Sequence, residues 1–265
     1  MHPTNCLNCA TLLTADDHYC PTCGQKTDTH RLSMSHIWHD LVHAFTHADK
    51  GFLYTIRELA VRPGLVAREF VKGKRKKYFN PFSLLVIVIG INILANSVFE
   101  PYSQLNYTSK DIPVSMQAGS KRAKFEKIIQ RQRAIGEFMN KHTNIVLFIS
   151  TPYIAFILWL LFRRKGYNYA EHLSAMAYSN AFLSVLMILV FGPLLYLVPD
   201  RSTKQLVYAA MMLSHVLYLS FMYYGFLGYA SGKGYLKTLG AAIVAILAWA
   251  LFSFALIAMY MMLTL

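Results

Sequence analysis

Phe82–Phe99 reads FSLLVIVIGINILANSVF, eighteen residues without a charge. A helix that crosses hydrocarbon needs about 20 mostly apolar residues, with a range of about 17–25. This stretch therefore predicts a membrane span near the short end of that range. Four more follow along the chain: Ile145–Phe162, Leu173–Val198, Leu206–Tyr229 and Leu239–Leu265. Pro152 lies inside the second and predicts a kink, and Gly192-Pro193 lies near the outer end of the third. All 13 Asp and Glu fall outside the five stretches. Proton-coupled transporters and intramembrane aspartyl proteases need buried carboxylates, so neither class is supported. Asn92, Asn96, Ser150, Thr151, Asn180, Ser184, Ser214 and His215 are the polar residues in or near the spans, and are expected to bond neighbouring helices. His215 is the ionisable one among them. With no carboxylate in view, it reads as structural.

Composition agrees. The chain is 55% hydrophobic and 15% charged, with a mean hydropathy of +0.35, whereas a soluble domain carries about 25% charged residues. Its 26 Lys+Arg against 13 Asp+Glu point to topology and anionic headgroups rather than to nucleic acid.

Ahead of the spans, four cysteines sit as Cys6-x2-Cys9 and Cys20-x2-Cys23. Each CxxC turn can present two sulfurs, and Zn²⁺ takes four thiolates tetrahedrally. Asn8 suits the first turn, and Pro21 and Gly24 the second. Four thiolates leave no position for water, so one structural Zn²⁺ per chain is expected rather than a catalytic one. The start MHPTNC carries no apolar signal core, which places the cysteines in a reducing cytosol. Two disulfides in an exported head are the alternative.

The organisation that follows is a zinc knuckle over residues 1–28, cytosolic and interfacial amphipathic helices over 29–78, and a transmembrane domain over 79–265. The fold class is all-α: a five-helix transmembrane bundle with a small cytosolic zinc-ribbon head. No internal repeat is evident. Lys72, Lys74, Arg75, Lys76 and Lys77 precede the first span, Arg163, Arg164 and Lys165 follow the second, and Lys233 and Lys237 lie between the fourth and fifth. The positive-inside rule puts these, and the amino terminus, in the cytosol, with the carboxyl terminus periplasmic. The loop 100–144 opposes this assignment with Lys121, Arg122, Lys124, Lys127, Arg131, Arg133 and Lys141. Within it, Phe125, Ile128, Ile129, Ile135 and Met139 share a face, which predicts a helix lying on the membrane or capping the bundle.

In SHIWHDLVHAFTHAD, His36, His39, His43 and His47 share an arc of about 100° with Asp40 at helical spacing. Such a face can bind a second metal or sense pH, or simply be solvated. Asp49-Lys50-Gly51 and Pro63-Gly64 read as breaks, with Thr55 and Glu58 on the helix between them. The 72–77 cluster is expected at lipid phosphates, with Tyr78 and Phe79 in the headgroup belt. Glu171-His172 reads as a charged interfacial pair before the third span.

The head CxxC…YCPTCGQK, the stretch DKGFLYTIRELAVRPG, GKRKKYFNPF and NYAEHL together resemble domain-of-unknown-function family 3667, bacterial zinc-ribbon membrane proteins. The resemblance implies an integral membrane protein with a cytosolic zinc head and carries no reaction. It singles out Asp49, Thr55, Glu58, Pro63, Gly64, Gly73, Arg75, Tyr78, Pro81, Glu171 and His172 beside the cysteines. The expected function is non-enzymatic: an inner-membrane protein whose head docks a partner or controls assembly. Expected partners are membrane lipids and a second copy or a cytosolic or membrane protein, not nucleic acid. An oligomeric channel gated through the head, or an enzyme acting on lipid through Glu171, His172 or the His face, are the alternatives.

Overall fold

The computed structural model describes residues 4–29, 31–34, 51–101 and 120–264. Two short helices lie directly ahead of the first span, α1 (Gly51–Val61) and α2 (Pro63–Val71). The long elements follow: α3 (Pro81–Phe99), α4 (Ser120–Phe162), α5 (Tyr169–Leu186), the one-and-a-half-turn α6 (Gly192–Leu197), α7 (Arg201–Phe226) and α8 (Gly232–Thr264). A π-helical stretch, Met187–Phe191, joins α5 to α6 and absorbs the backbone mismatch ahead of Pro193. Five segments are long and apolar enough to cross a membrane: Pro81–Phe99, Asn144–Lys165, Tyr169–Leu197, Arg201–Phe226 and Gly232–Leu256. They are the five stretches read from the sequence, and they make the chain a multi-pass membrane protein.

The breaks fall where backbone chemistry puts them. Pro63 opens α2 at a position where its missing N–H costs nothing. Pro81 does the same for α3, and the Asn80 side chain caps that helix by accepting from the Phe82 and Ser83 amides. Phe79, just before, is held at both ends of its peptide. Its amide donates to Thr55 Oγ1 at 2.8 Å, and its carbonyl accepts from the Tyr178 hydroxyl at 2.7 Å. The start of the first span is thereby tied to α1 and α5.

α5 is the central helix, buried on every side from Ala170 to Ser184. Ala170, Ser174, Ala175, Ala177, Ser179 and Ala181 keep it thin, so that α3 and α4 pack along it. α7 and α8 pair, α4 closes against α8, and α2 crosses α7. The crossing is close. A Cβ on Gly64 would lie 2.4 Å from the Met222 carbonyl oxygen and 2.5 Å from Gly225 Cα. Pro63-Gly64 is therefore more than a break, because its glycine is the contact point of two helices.

Two expectations change here. The amphipathic segment in 100–144 is no separate surface or capping helix, because α4 runs unbroken from Ser120 to Phe162, 43 residues. At about 1.5 Å per residue it is about 65 Å long, twice the hydrocarbon thickness of about 30 Å. Nothing between Lys141 and Ile145 interrupts propagation, so the membrane helix continues beyond the bilayer. The polar residues of the spans also behave differently from expectation. Asn180 does donate to Thr151 Oγ1 across two helices at 2.7 Å. Ser150, Thr151, Ser214 and His215, however, bond back to carbonyls of their own helices, Leu147 and Met211.

Candidate metal centre

The head is two copies of one turn, a repeat that the sequence reading missed. In the first, the Cys6 amide donates to Thr11 and the Ala10 amide to Cys6, each at 2.8 Å. In the second, Cys20 donates to Gln25 and Gly24 to Cys20, again at 2.8 Å. Ala10 and Gly24 occupy the same place in each turn, with left-handed φ of 62° and 68°. Antiparallel bridges Asn5–Leu12 and Tyr19–Lys26 close the two arms. The signal was legible, since both turns read Cys-x2-Cys followed by a small residue.

This geometry brings the four sulfurs within 4.8 Å of one another. Cys6–Cys23 and Cys9–Cys20 are 3.6 and 3.5 Å apart. Zn–S bonds of about 2.3 Å in a tetrahedron give S···S edges of about 3.8 Å, so the site fits zinc. The bare thiols are electrostatically unequal. Hydrogen bonds from Thr11 pull Cys9 down to about 6, whereas burial pushes Cys23 up to about 11. A coordinated dication deprotonates all four and removes that conflict. Cys6 and Cys20 are buried, Cys23 is half-buried and Cys9 is exposed. Among the described residues, no other group of three or more His, Cys, Asp and Glu is close enough to hold a metal.

The head does not hang free. Gln25, 5% exposed, follows directly on the second turn. Its Nε2 donates to the Gly73 carbonyl at 2.9 Å, and its Oε1 accepts the Arg75 and Lys76 amides at 3.1 and 3.2 Å. One side chain thus satisfies three backbone groups of the turn before the first span. Gly73 has φ +103°, and a Cβ there would also meet Leu7 Cδ1 at 2.8 Å. The positive φ is what calls for glycine here, since the Leu7 methyl ends a flexible side chain and can step aside.

That turn is the basic cluster, and two of its lysines, Lys74 and Lys77, are engaged within the chain. Both pair with Glu69, at 2.7 and 2.8 Å, and the Tyr78 hydroxyl donates to Glu69 at 2.6 Å. Burial alone would raise the Glu69 carboxyl, but these hydrogen bonds win and hold it at about 2. Because the folded value lies below the usual 4.5, Glu69 contributes stability that is fully present above that pH. The contribution is lost as pH falls towards 2. Glu69→Gln is expected to lower stability in detergent by about 1–3 kcal/mol at neutral pH. The gap to the parent protein should close on acidification through that window, as read from thermal melts.

The segment after the head is fastened to the start of α5. Arg31 holds Glu171 with both arms, Nε–Oε1 and Nη2–Oε2 each 2.7 Å, and Nη2 also reaches the Gly166 carbonyl. Glu171 and Asn168 form a reciprocal capping box, and Asn168 Nδ2 donates to the Leu32 carbonyl at 3.0 Å. The Asn-x-x-Glu spacing is the signal for that cap, which the sequence reading passed over in pairing Glu171 with His172. No local signal announced Arg31.

Glu171 and His172 are therefore not a charged pair. Successive helical residues point apart, and His172 is fully buried among Tyr167, Tyr223 and Phe226, with Nδ1 3.3 Å from the Tyr223 hydroxyl. Glu58 is an i,i+4 partner of Arg62 at 2.5 Å. His215 Nδ1 donates to the carbonyl of Met211, on its own helix, at 2.8 Å. His36, His39, His43, His47 and Asp49 lie outside the described residues.

No curated protein and no solved structure matches the chain. Residues 49–92, which hold α1, α2, the basic turn that receives the head and the first part of the first span, match the model of a family described as "Protein of unknown function (DUF3667)".

Proposed function

We propose that the chain is a non-enzymatic protein of a bacterial inner membrane, with its head in the cytosol, and that the zinc head controls assembly at the cytosolic ends of the spans. The observation that carries this is the seat of Gln25. A zinc-shaped turn organises the backbone that leads into the first span, and Arg31, a few residues on, organises the start of the third. The basic clusters 72–77, 163–165 and 233–237 sit at that same end, as positive-inside topology asks. The two arms of the head leave Leu12 79% and Tyr19 63% exposed. These are the contacts for a second copy of the chain, and lipid surrounds the spans.

The test has two arms. Leu12→Ser with Tyr19→Ser is expected to reduce the mass of the detergent-extracted particle to one chain by light scattering, with zinc content unchanged. Gln25→Ala is expected to keep zinc but raise hydrogen exchange over residues 73–76 at least tenfold. An unchanged mass in the first variant removes self-assembly through the head. Unchanged exchange in the second removes zinc control of the spans. A reporter fused after Leu265 that scores as cytosolic reverses the orientation.

A further inference from the structure

In the basic turn before the first span Glu69 takes Lys74 and Lys77, and a second pair of cations stands beside another turn at the ends of the spans. Arg68 is the neighbour of Glu69 on α2 and points away from it. Its guanidinium lies against the turn between α7 and α8. Gly228 there has φ +71°, and a Cβ on it would stand 2.9 Å from Arg68 Nη1. Arg68 is half-buried, yet among the described residues its guanidinium makes no hydrogen bond and no ion pair. Glu171, whose charge reaches Tyr167 together with that of Arg68, has both oxygens taken by Arg31. On the next residue of the same turn, Lys165 Nζ stands 4.2 Å over the Tyr229 ring. Two cations therefore bracket one turn, Arg68 on Gly228 and Lys165 on Tyr229.

The depth of this turn is informative. It lies between Phe226, where one span ends, and Gly232, where the next begins, and Lys165 ends another span. Tyr224 and Tyr235 stack edge-on beside it, as aromatic residues do at headgroup level. Leu236, 67% exposed, continues the outer surface towards the hydrocarbon. A guanidinium half removed from water and left unpaired is costly, and its planar fork matches two phosphate oxygens. The backbone amides of Leu227, Gly228 and Tyr229 are already bonded within the turn, so the recognition falls to the two side chains.

We propose that Arg68 and Lys165 form a binding site for the phosphate of an anionic phospholipid, with its acyl chains running down past Leu236. Arg68 makes the bidentate contact and Lys165, held by Tyr229, adds the second charge. A zwitterionic headgroup carries its own ammonium and gains less from two cations. A soluble phosphate has no use for the apolar surface below.

The full chain, delipidated in detergent, is titrated separately with phosphatidylglycerol, phosphatidylcholine and inorganic phosphate, and bound lipid is counted by native mass spectrometry. The expected result is one phosphatidylglycerol retained about tenfold more tightly than phosphatidylcholine, with millimolar inorganic phosphate failing to displace it. Arg68→Gln and Lys165→Gln each abolish that preference. Gly228→Ala, which keeps every charge but pushes into Nη1, weakens it. Arg164→Gln, in the same exposed stretch as Lys165, leaves it intact. If Arg68→Gln does not fold, the exposed Lys165→Gln variant decides alone. Equal retention of the two lipids, retention unchanged in Lys165→Gln, or displacement by inorganic phosphate each overturns the lipid site.

Discussion

Replacing Cys6 and Cys20 together by serine is expected to reduce zinc from about one equivalent per chain to a small fraction of it. The same change should unfold residues 4–29 while the membrane helices remain. The magnitudes make the metal decisive. Structural zinc contributes about 10–16 kcal/mol to the folding of small finger peptides, and this head has little apolar interior of its own besides the two buried cysteines. Without the metal, two arms closed by single bridges cannot offset the entropy of ordering the chain. Elemental analysis reads the zinc, and limited proteolysis reads the head as newly cleavable between Thr14 and Thr29. Far-ultraviolet circular dichroism should keep its helical amplitude, because α3, α4, α5, α7 and α8 pack on one another without the head. Zinc retained at one equivalent in the double variant would show that the four sulfurs are not its ligands.

The second large effect is expected at the crossing of α2 and α7. Gly64→Leu should destabilise the protein by about 3–5 kcal/mol or prevent its extraction as a folded particle. Even the first carbon of the new side chain meets backbone at 2.4–2.5 Å on Met222, Gly225 and Phe226, and backbone cannot step aside as a flexible side chain can. The helices would have to separate, and α2 would lose the packing of Val66, Ala67 and Phe70, all of which are buried in the core. Gly90→Ala is the matched control. Gly90 is also helical, but a Cβ there meets nothing within 4 Å, so the change should be neutral or stabilise by up to about 1 kcal/mol through helix propensity. Thermal melts in detergent that place the two variants together would remove the close-crossing argument.

These two sites differ in how they could be found. The metal site is written locally: ligand type and spacing within one short stretch decide it, so the cysteines were readable before any fold was known. The spans are equally local, because the partition of an apolar run of about 20 residues depends on its own composition. The capping box of Asn168 and Glu171 is written locally in the same way, although the sequence reading passed over it. The crossing at Gly64 was not, although the glycine itself was noticed. Nothing in Pro63-Gly64 says that Gly225 lies opposite.

The sequence by itself therefore determined an all-α chain, five membrane helices with their approximate limits, and a four-cysteine head. Each rests on residues that are neighbours along the chain. The tertiary structure alone decided that the head is seated, through Gln25, on a turn 48 residues away. It also decided that Glu69 takes two lysines of the basic cluster, that Arg31 reaches Glu171 across 140 residues, and that the Arg68 guanidinium has no hydrogen-bond or ion-pair partner among the described residues. A charge has no fixed meaning until its surroundings are known: Lys74 and Lys77 read as a membrane anchor in one dimension, and in three both also hold Glu69. The attraction that sorts them acts over a few ångströms of space, and only packing sets those distances.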